Sequence, residues 1–525
     1  PGRQQKSVSG KVTDSSGNAL PGVSVVVKGT TRGIITDAGG SYSLDNIPSD
    51  ATLLFSFVGM KMQEIPVAGK TMINITLEEE AIGVKEVIVT ALGIQRQAKA
   101  LGFSAQSVGE DALSASREAS LTNYLTGKVA GVQISKTAGG AGSSTNVVIR
   151  GKSSIAGSNQ PLYVVDGVPI INYSNDNASS GVASADIDYG DGIGDLNPLD
   201  VESMNVLKGP AATALYGSRG ANGVILITTK SGKKGGKGLG IEVNSGVTFE
   251  ELYLIPNFQN EFGSGYDDEG YANYSWGGFT FDGIYYNWPE NGQLDSWGGP
   301  LDGSIKIPNW WTLPEDGSIP GSVWDCPITE AVPYVAQPRN NVRNFFNTGV
   351  TFSNNIALTS SGEKSTMRLS LGSNSTDGIV PNHEIKRKTV SFSGSTQVNK
   401  ILSFEARINY IRTEGDQRPR TGYNPSNPMY NLISMARNTP LDFVKYQYEK
   451  TKVNIRYPGI NYNPYYMVNE VRNNDFKDRV VGLSSVTLQF TDWLSLMGRV
   501  GVDFYSQSKE TRWPQDPESR NAASR

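Results

Sequence analysis

The sequence LNPLDVESMNVLKGPAATALYGSRGANGVILITTK, residues 196 to 230, is the most informative part of this chain. Its end, residues 223 to 230, is apolar and rich in β-branched side chains, which predicts a short buried strand. Just before it, residues 215 to 222 place small and turn-forming residues around Arg219, as a tight turn requires. This part of the sequence therefore predicts a tight turn that leads directly into a buried strand.

The composition limits the classes of protein to which the chain can belong. Its 525 residues include 47 basic and 51 acidic side chains, and this balance argues against a nucleic-acid partner. The mean hydropathy is -0.33, and no apolar run approaches the roughly 18 residues that a membrane-spanning helix needs. Any membrane-embedded part is therefore expected to be a β-barrel, in which alternation dilutes the apolar signal.

The sequence offers little for catalysis. Its one histidine, His383, sits in a polar turn at residues 381 to 384, where we expect it on the surface. A zinc site built on several histidines, or a Ser-His-Asp relay, would have to use that one residue. The one cysteine, Cys326, excludes a disulfide within the chain and is expected to be a buried, unreactive thiol. We therefore expect neither an enzyme nor a bound cofactor.

From residue 239 onward the sequence alternates apolar and polar side chains over segments of about ten residues, as a barrel strand between lipid and an aqueous lumen requires. The predicted connections alternate too: those at 251 to 345 and 414 to 478 are long, whereas those at 361 to 363, 399 to 400 and 491 to 492 are short. The apolar faces comprise Leu239, Ile241, Val243, Val247 and Phe249; Val350, Phe352, Ile356 and Leu358; Met367, Leu369 and Leu371; Val390, Phe392 and Val398; and Leu402, Phe404, Ala406, Ile408 and Tyr410.

Further motifs precede residues 196 to 230: NYLTGKVAGVQI at 123 to 134, IRG at 149 to 151 and PLYVVDGVP at 161 to 169. In this order and spacing they resemble the plug domain of the SusC/RagA-type TonB-dependent outer-membrane transporters. The resemblance implies an α+β plug over residues 96 to 232, with one small sheet and a short helix that begins after Ser120. By resemblance, the characteristic residues of these plug motifs are Arg150, Gly151, Asp166, Gly167 and Arg219.

Two segments precede the plug. Residues 7 to 79 show short strands at about ten-residue spacing with turn signals between them, which predicts a small β-sandwich. Their motif order resembles the carboxypeptidase-regulatory-like domain, which is non-enzymatic in this family. Residues 84 to 92 are by resemblance the TonB box, which would pair edge to edge with a strand of the TonB energy-coupling protein. The residues expected to make this pairing are Glu86, Val87, Ile88, Val89 and Thr90.

The resemblance implies a mainly β protein whose third part, residues 239 to 525, is an antiparallel transmembrane β-barrel. About seven strands precede Arg525, whereas plugged transporters close at about 22, so we expect only the first barrel strands of a longer protein. The implied function is TonB-dependent import of oligosaccharides or oligopeptides across the outer membrane of a Gram-negative, Bacteroidetes-like bacterium. The implied partners are TonB, outer-membrane lipid and a SusD-like surface lipoprotein. An iron-chelate or vitamin receptor and a non-transporting adhesin or receptor remain as alternatives.

Polar contacts are expected between the plug and the barrel wall. Arg150 and Arg219 are the candidate plug residues, and they are expected to meet Glu242 or Glu405. The position of these two glutamates in the alternation points them into the lumen.

Two other groups of side chains are candidates for binding. The acidic residues 186 to 195 are spaced somewhat like a calcium loop, but the closing glutamate is absent. We therefore expect a solvated turn, with Asp186, Asp188 and Asp191 as weak metal candidates. Aromatic side chains in the first long connection suit contact with a sugar, a peptide or a lid protein, or a small core within the loop itself. These side chains are Trp276, Trp288, Trp297, Trp310 and Trp311.

Overall fold

The chain forms two compact units, which comprise residues 1–88 with 95–100, and residues 89–94 with 101–525. This computed structural model describes residues 5–14, 17–30, 32–57, 60, 62–78, 87–89, 95–97, 105–109, 121–155, 158–172, 187–209, 214–232, 238–263, 278–287, 299–309, 313–315, 326–455 and 462–514.

The first unit contains a small β-sandwich, as the spacing of its strands and turns predicts. Its strands are β1 (Gln5–Asp14), β2 (Ser24–Val27), β3 (Gly33–Ile35), β4 (Ser41–Pro48), β5 (Thr52–Ser56), β6 (Gln63–Pro66) and β7 (Ile75–Leu77). One sheet has the order β4-β1-β7 and the other the order β3-β2-β5-β6. Because successive side chains of a strand point to opposite faces of the sheet, Val8, Val25 and Phe55 all point into a shared apolar core. The Tyr42 hydroxyl donates to the Ile73 carbonyl at 2.8 Å, and burial raises the pKa of Tyr42 to about 12.

A two-stranded sheet of β8 (Val87–Val89) and β9 (Gln95–Gln97) follows in the sequence. Strand β8 occupies the centre of the expected TonB box. Glu86 and Thr90, at the two ends of the expected pairing segment, lie outside the described residues.

The plug consists of a five-stranded sheet and a separate hairpin. Its strands are β10 (Ala105–Gly109), β11 (Val132–Lys136), β12 (Thr145–Ile149), β13 (Leu162–Val165), β14 (Val168–Pro169), β15 (Val201–Leu207) and β16 (Val224–Thr229). The sheet has the order β10-β15-β16-β13-β14, and β11 pairs only with β12 among the described strands. The expectation of a single sheet is therefore wrong. Leu121–Leu125 forms a 3-10 helix, and Ser120 lies outside the described residues.

The tight turn predicted before β16 is present. Ala214–Gly220 forms 3-10 turns that are interrupted at Gly217, where φ is 62°. Strand β16 follows, and its apolar side chains pack in the centre of the sheet between β15 and β13. At Gly223, which precedes β16, a Cβ atom would lie 2.7 Å from Cδ1 of Ile149, so the close approach of the hairpin requires glycine there.

The wall is an antiparallel sheet of seven strands in the order β17-β22-β23-β24-β25-β26-β27. Its strands are β17 (Gly238–Glu250), β22 (Gly349–Ser361), β23 (Ser365–Asp377), β24 (Glu384–Gln397), β25 (Leu402–Asp416), β26 (Arg472–Gln489) and β27 (Ser495–Arg512). The predicted alternation is confirmed: Leu239, Ile356 and Val500 are exposed on one face, whereas Asn355 and Arg368 are buried on the other. The buried polar face of the wall packs against the plug.

The two long connections form a separate apolar cluster, the loop core. Their elements are β18 (Gly278–Phe281), β19 (Ile284–Asn287), β20 (Asp302–Pro308), β21 (Ala331–Val335), α1 (Pro428–Ser434), α2 (Leu441–Thr451) and α3 (Pro464–Asn469). Asn427 and Asn463 cap the starts of α1 and α3, each followed by a proline at the first helical position. Tyr334, Phe345 and Leu441 join the two connections in this core. The described helices include none whose length and apolar character suffice for crossing a membrane.

Candidate functional site

The plug and the wall meet through buried ion pairs. Asp195 of the plug lies 2.8 Å from Nζ of Lys477 and 2.9 Å from Nη1 of Arg479, both on β26. Arg479 also donates to Asp503 on β27 at 2.8 Å. Its Nη1 further donates to the carbonyl of Gly192 at 2.6 Å, so one guanidinium joins two wall strands to a plug loop. Hydrogen bonds of this kind, between ionised partners, are stronger than neutral ones.

A second ion pair joins Asp200 to Arg368 on β23, with 2.8 Å between Oδ1 and Nη1. The sequence positions Asp200 locally, because Asn197 caps the 3-10 helix Pro198–Asp200 and accepts from the N–H of Leu199. The hydroxyl of Ser391 donates to the other carboxylate oxygen of Asp200 at 3.2 Å. Both side chains of the pair are buried, so both charges depend on these contacts.

The third pair joins Asp166 to Arg407 on β25, with 2.8 Å between Oδ1 and Nη1. Asp166 and Gly167 have φ values of 51° and 88°, which is the backbone of a two-residue hairpin turn between β13 and β14. The carboxylate also accepts from the N–H of Thr229 at 2.9 Å and from its hydroxyl at 2.7 Å. The Asp-Gly sequence therefore sets both the turn and the contact with the wall.

The charges at this interface match the expected arrangement only in part. Arg150 and Arg219 are exposed and form no ion pair among the described residues. Glu242 lies 3.4 Å from Lys230 at the end of the plug, and Glu405 lies 2.8 Å from Arg407. Glu242 thus meets a cation of the plug, but in the three buried pairs acids of the plug meet cations of the wall. The expected pairs of Arg150 or Arg219 with Glu242 or Glu405 are wrong. Arg150 and Gly151 instead form a turn with φ values of 60° and 95°.

The acidic loop after residue 186 is buried, so the expectation of a solvated turn is wrong. Asp188 accepts from the N–H and the hydroxyl of Ser144, and Asp191 accepts from the N–H groups of Thr145 and Gly194. Burial raises the pKa of Asp191. These carboxylates therefore hold plug loops together. Asp186 lies outside the described residues, within which no group of side chains is arranged to hold a metal ion.

A cavity of about 220 Å³ lies between the plug and the wall. Plug residues at 136 to 145 and 189 to 195 form one side of it. Wall strands β22 to β25 form the other, near the ends that lead into the long connections. The wall side chains that line it include Thr351, Asn374, Thr376, Ile385, Arg387 and Thr413.

The remaining candidates have different outcomes. His383 is buried, not exposed as expected, because the turn between β23 and β24 packs against the plug at Gly140, where a Cβ atom would lie 3.2 Å from Nδ1. Burial and the nearby charge of Arg418 lower the pKa of His383 to about 3. Cys326 is buried as expected. The aromatic candidates Trp276, Trp288, Trp297, Trp310 and Trp311 lie outside the described residues.

Sequence reasoning named Asp166 as a plug-motif residue but missed its contact with the wall and the other buried residues that join the plug to the wall. A usable signal was present: Arg368, Arg407 and Arg479 occupy polar positions of alternating strands, so they had to face the interior. The acids Asp195 and Asp200 gave no comparable signal, because a short loop has no periodicity that reveals its buried side.

A plug packed on the polar face of an amphipathic sheet defines the class of TonB-dependent receptors. Residues 97–224 match the TonB-dependent Receptor Plug Domain family, and residues 8–89 match the CarboxypepD_reg-like domain family.

Known relatives narrow this class. The chain is 36% identical over 274 residues to TonB-dependent receptor SusC of Bacteroides thetaiotaomicron. This alignment covers 52% of this chain and 25% of that protein. The chain is also 36% identical over 245 residues to TonB-dependent receptor P39 of Formosa agariphila, covering 47% of this chain and 22% of the relative. The structure of the RagAB peptide importer in the 'open-open' state aligns with a TM-score of 0.55 at 20% identity. That alignment covers 82% of this chain and 44% of the other, and it supports the fold.

Together these matches support a SusC/RagA-type TonB-dependent transporter: the chain carries a CarboxypepD_reg-like domain, a TonB-dependent receptor plug domain and a wall sheet of seven strands. The matched part of the chain spans 22% and 25% of the two curated relatives and 44% of the chain in the RagAB structure.

Proposed function

We propose that the complete protein imports oligosaccharides or oligopeptides across the outer membrane of a Gram-negative bacterium. TonB would supply the energy, and a SusD-like lipoprotein would act at the surface. The observation that carries this proposal is the plug itself, which packs against the polar face of the wall and is held there by Asp166, Asp195 and Asp200. The name of the RagAB peptide importer supports the peptide class, whereas the oligosaccharide class is what the resemblance to SusC/RagA-type transporters implies.

The character of these contacts suits a plug that has to move. Ile411 and Val481 are the wall residues that join the apolar core of the plug in the described part of the chain, so the apolar contact is small. Separating apolar surfaces costs about 25 cal/mol per Å² exposed to water. Charged side chains such as Asp195 and Arg479 can exchange their partner for water when a pulling force opens the interface.

Strand β8 is the proposed attachment point for this force. A TonB strand would add to it through backbone hydrogen bonds, which depend on an extended backbone with free N–H groups. Proline at position 88 would remove one N–H and disfavour the pairing, whereas valine would preserve both the N–H and the β-propensity.

The experiment compares Ile88→Pro with the matched control Ile88→Val in cells that carry the full-length transporter and TonB. Uptake and surface binding of fluorescent oligosaccharide and oligopeptide mixtures are measured separately. We expect Ile88→Pro to bind ligand but to lose uptake, as a TonB deletion does, while Ile88→Val behaves as the wild type. Equal uptake by both variants, or uptake that persists without TonB, would contradict the proposal and favour a receptor or adhesin.

A further inference from the structure

The cavity between the plug and the wall contains a guanidinium that has no hydrogen-bond or ion-pair partner among the described residues. Arg387 projects from β24 and lines this cavity, and it also lines a smaller neighbouring cavity of about 40 Å³. Within the described part of the chain, its side chain forms no hydrogen bond or ion pair, and its Nε is fully buried. A guanidinium carries five N–H donors, so a large hydrogen-bonding capacity is left unused here.

Two wall hydroxyls next to Arg387 also lack a hydrogen-bond partner in the part of the chain that the structure describes. The hydroxyls of Thr389 on the same strand and Thr413 on β25 are buried and have no hydrogen-bond partner among the described residues. Thr413 lines the larger cavity and Thr389 the smaller one. Buried polar groups are normally satisfied, so these donors are available to a polar group that enters the cavity.

The acids that interact electrostatically with Arg387 do not fill this role, because their oxygens already accept hydrogen bonds. Asp191 and Asp195 interact electrostatically with Arg387 and partly balance its charge. However, Asp191 accepts from Thr145 and Gly194, and Asp195 is paired with Arg479.

Arg418, the other arginine that lines the cavity, already has hydrogen-bond partners within the protein. It pairs with Asp475 and donates to the carbonyls of Gly142 and Asp188, each at 3.3 Å. Arg387 is therefore the cavity guanidinium that remains available to an incoming group.

We propose that Arg387 binds a carboxylate group of the transported ligand, and that the transporter therefore prefers acidic oligosaccharides or acidic peptides over their neutral counterparts. A carboxylate matches the planar fork of a guanidinium through two parallel hydrogen bonds. The cavity of about 220 Å³ compares with the roughly 10–15 Å³ that one ordered water needs, so it admits a sugar ring or an amino-acid residue. This inference rests on the proposed function, because it names the ligand class of that same site.

The test uses the full-length transporter, purified in detergent, and two pairs of probes. The first pair is trigalacturonate and its fully methyl-esterified form, and the second is the tripeptide amides Ala-Glu-Ala and Ala-Gln-Ala. Calorimetry measures the affinity of the wild type, Arg387→Gln and Arg387→Lys for each probe. Lys388→Gln is the matched control, because Lys388 is the next residue of β24 and is exposed on the opposite face of the strand. Melting temperatures report whether each variant is folded.

In at least one pair, we expect the wild type and Lys388→Gln to bind the acidic probe at least about tenfold more tightly than the neutral one. Arg387→Gln should reduce this ratio to less than about twofold, and Arg387→Lys should leave it between these values because it keeps the charge without the fork. The pair that shows the preference identifies sugar or peptide as the source of the carboxylate.

Two results would overturn the inference: no acidic preference in either pair, or a preference that survives in a folded Arg387→Gln protein. Neither result would affect the TonB-dependent uptake measured with the Ile88 variants, so the two proposals fail separately.

Discussion

Asp195 and Arg479 connect the plug to the wall through a hydrogen bond of 2.9 Å between Oδ2 and Nη1, and both side chains are almost completely buried. Lys477 holds the other oxygen of the same carboxylate, and Asp503 accepts from the same guanidinium. Four charges thus balance one another within one cluster. Removing one of them leaves an uncompensated buried charge, which costs more than the pair itself contributes.

The first prediction concerns Asp195→Asn. We expect it to lower the free energy of plug opening by about 3 kcal/mol, the low end for a broken buried pair, because Arg479 keeps Asp503. Hydrogen exchange of the β16 amides in the purified full-length protein measures this, and it should accelerate roughly 100-fold. Asp492→Asn is the control, since Asp492 lies in an exposed turn and has no ion pair among the described residues. An exchange rate equal to that of the control would show that the cluster does not hold the plug.

The second prediction separates two roles of Asp166. Asparagine tolerates the positive φ of 51° and keeps an oxygen for the N–H of Thr229, but it loses the charge that pairs with Arg407. Alanine loses all three properties. We expect plug opening to become easier by about 2 kcal/mol in Asp166→Asn and by about 4 kcal/mol in Asp166→Ala. The same exchange measurement applies, and equal effects of the two variants would mean that only the charge matters.

Much of the fold could be predicted because alternation has a physical cause that is visible in every strand. A wall strand has one apolar and one polar face, so Leu239 and Phe249 could be assigned to the outside and Asn355 to the inside. The lengths of the strands were less predictable. Strand β26 begins at Arg472, although the sequence predicts that the connection before it extends to residue 478. Its first residues are mostly polar or charged, so the sequence shows no apolar face that would mark the start of the strand.

The site was less predictable than the fold, because the residues that form it are distant in the sequence. Asp166 and Arg407 are 241 positions apart, and Asp195 and Arg479 are 284 apart. The alternation of side chains along a strand shows which face of the sheet each arginine occupies. Only the path of the plug loops decides which acid that arginine contacts. The burial of His383 has the same origin, since the turn that carries it is polar in sequence and becomes covered only by the plug.

The third prediction follows from the low pKa of His383. Its folded pKa of about 3 lies below the ordinary value of 6.5, so the unfolded chain binds a proton more readily than the folded one. The contribution of His383 to stability is therefore complete above pH 6.5 and decreases as the pH falls toward 3. Between pH 7.5 and pH 5 we expect a loss of about 2 kcal/mol.

Denaturant unfolding of the wild type and His383→Gln at both pH values measures this loss. Because the chain has one histidine, the difference between the two proteins isolates its titration from the carboxylate background that they share. Identical pH dependence in both proteins would show that the turn opens and exposes His383 before it is protonated.

The last prediction tests the position of the β13–β14 hairpin against the wall. A Cβ atom at Gly501 on β27 would lie 2.6 Å from Cγ2 of Val168, whereas one at Gly498 on the same strand would meet nothing within 4 Å. We expect Gly501→Ala to destabilise the protein by about 1–3 kcal/mol through overpacking, and Gly498→Ala to have little effect. Thermal unfolding of the two variants makes the comparison.

A compensating change sharpens this test. Val168→Ala removes both methyl groups that crowd the new Cβ atom, so combining it with Gly501→Ala should cost less than the sum of the two single changes. Such coupling requires that residues 168 and 501 be in contact. If the two effects are simply additive, the hairpin does not pack against β27, and the path of the plug along the wall would have to be different.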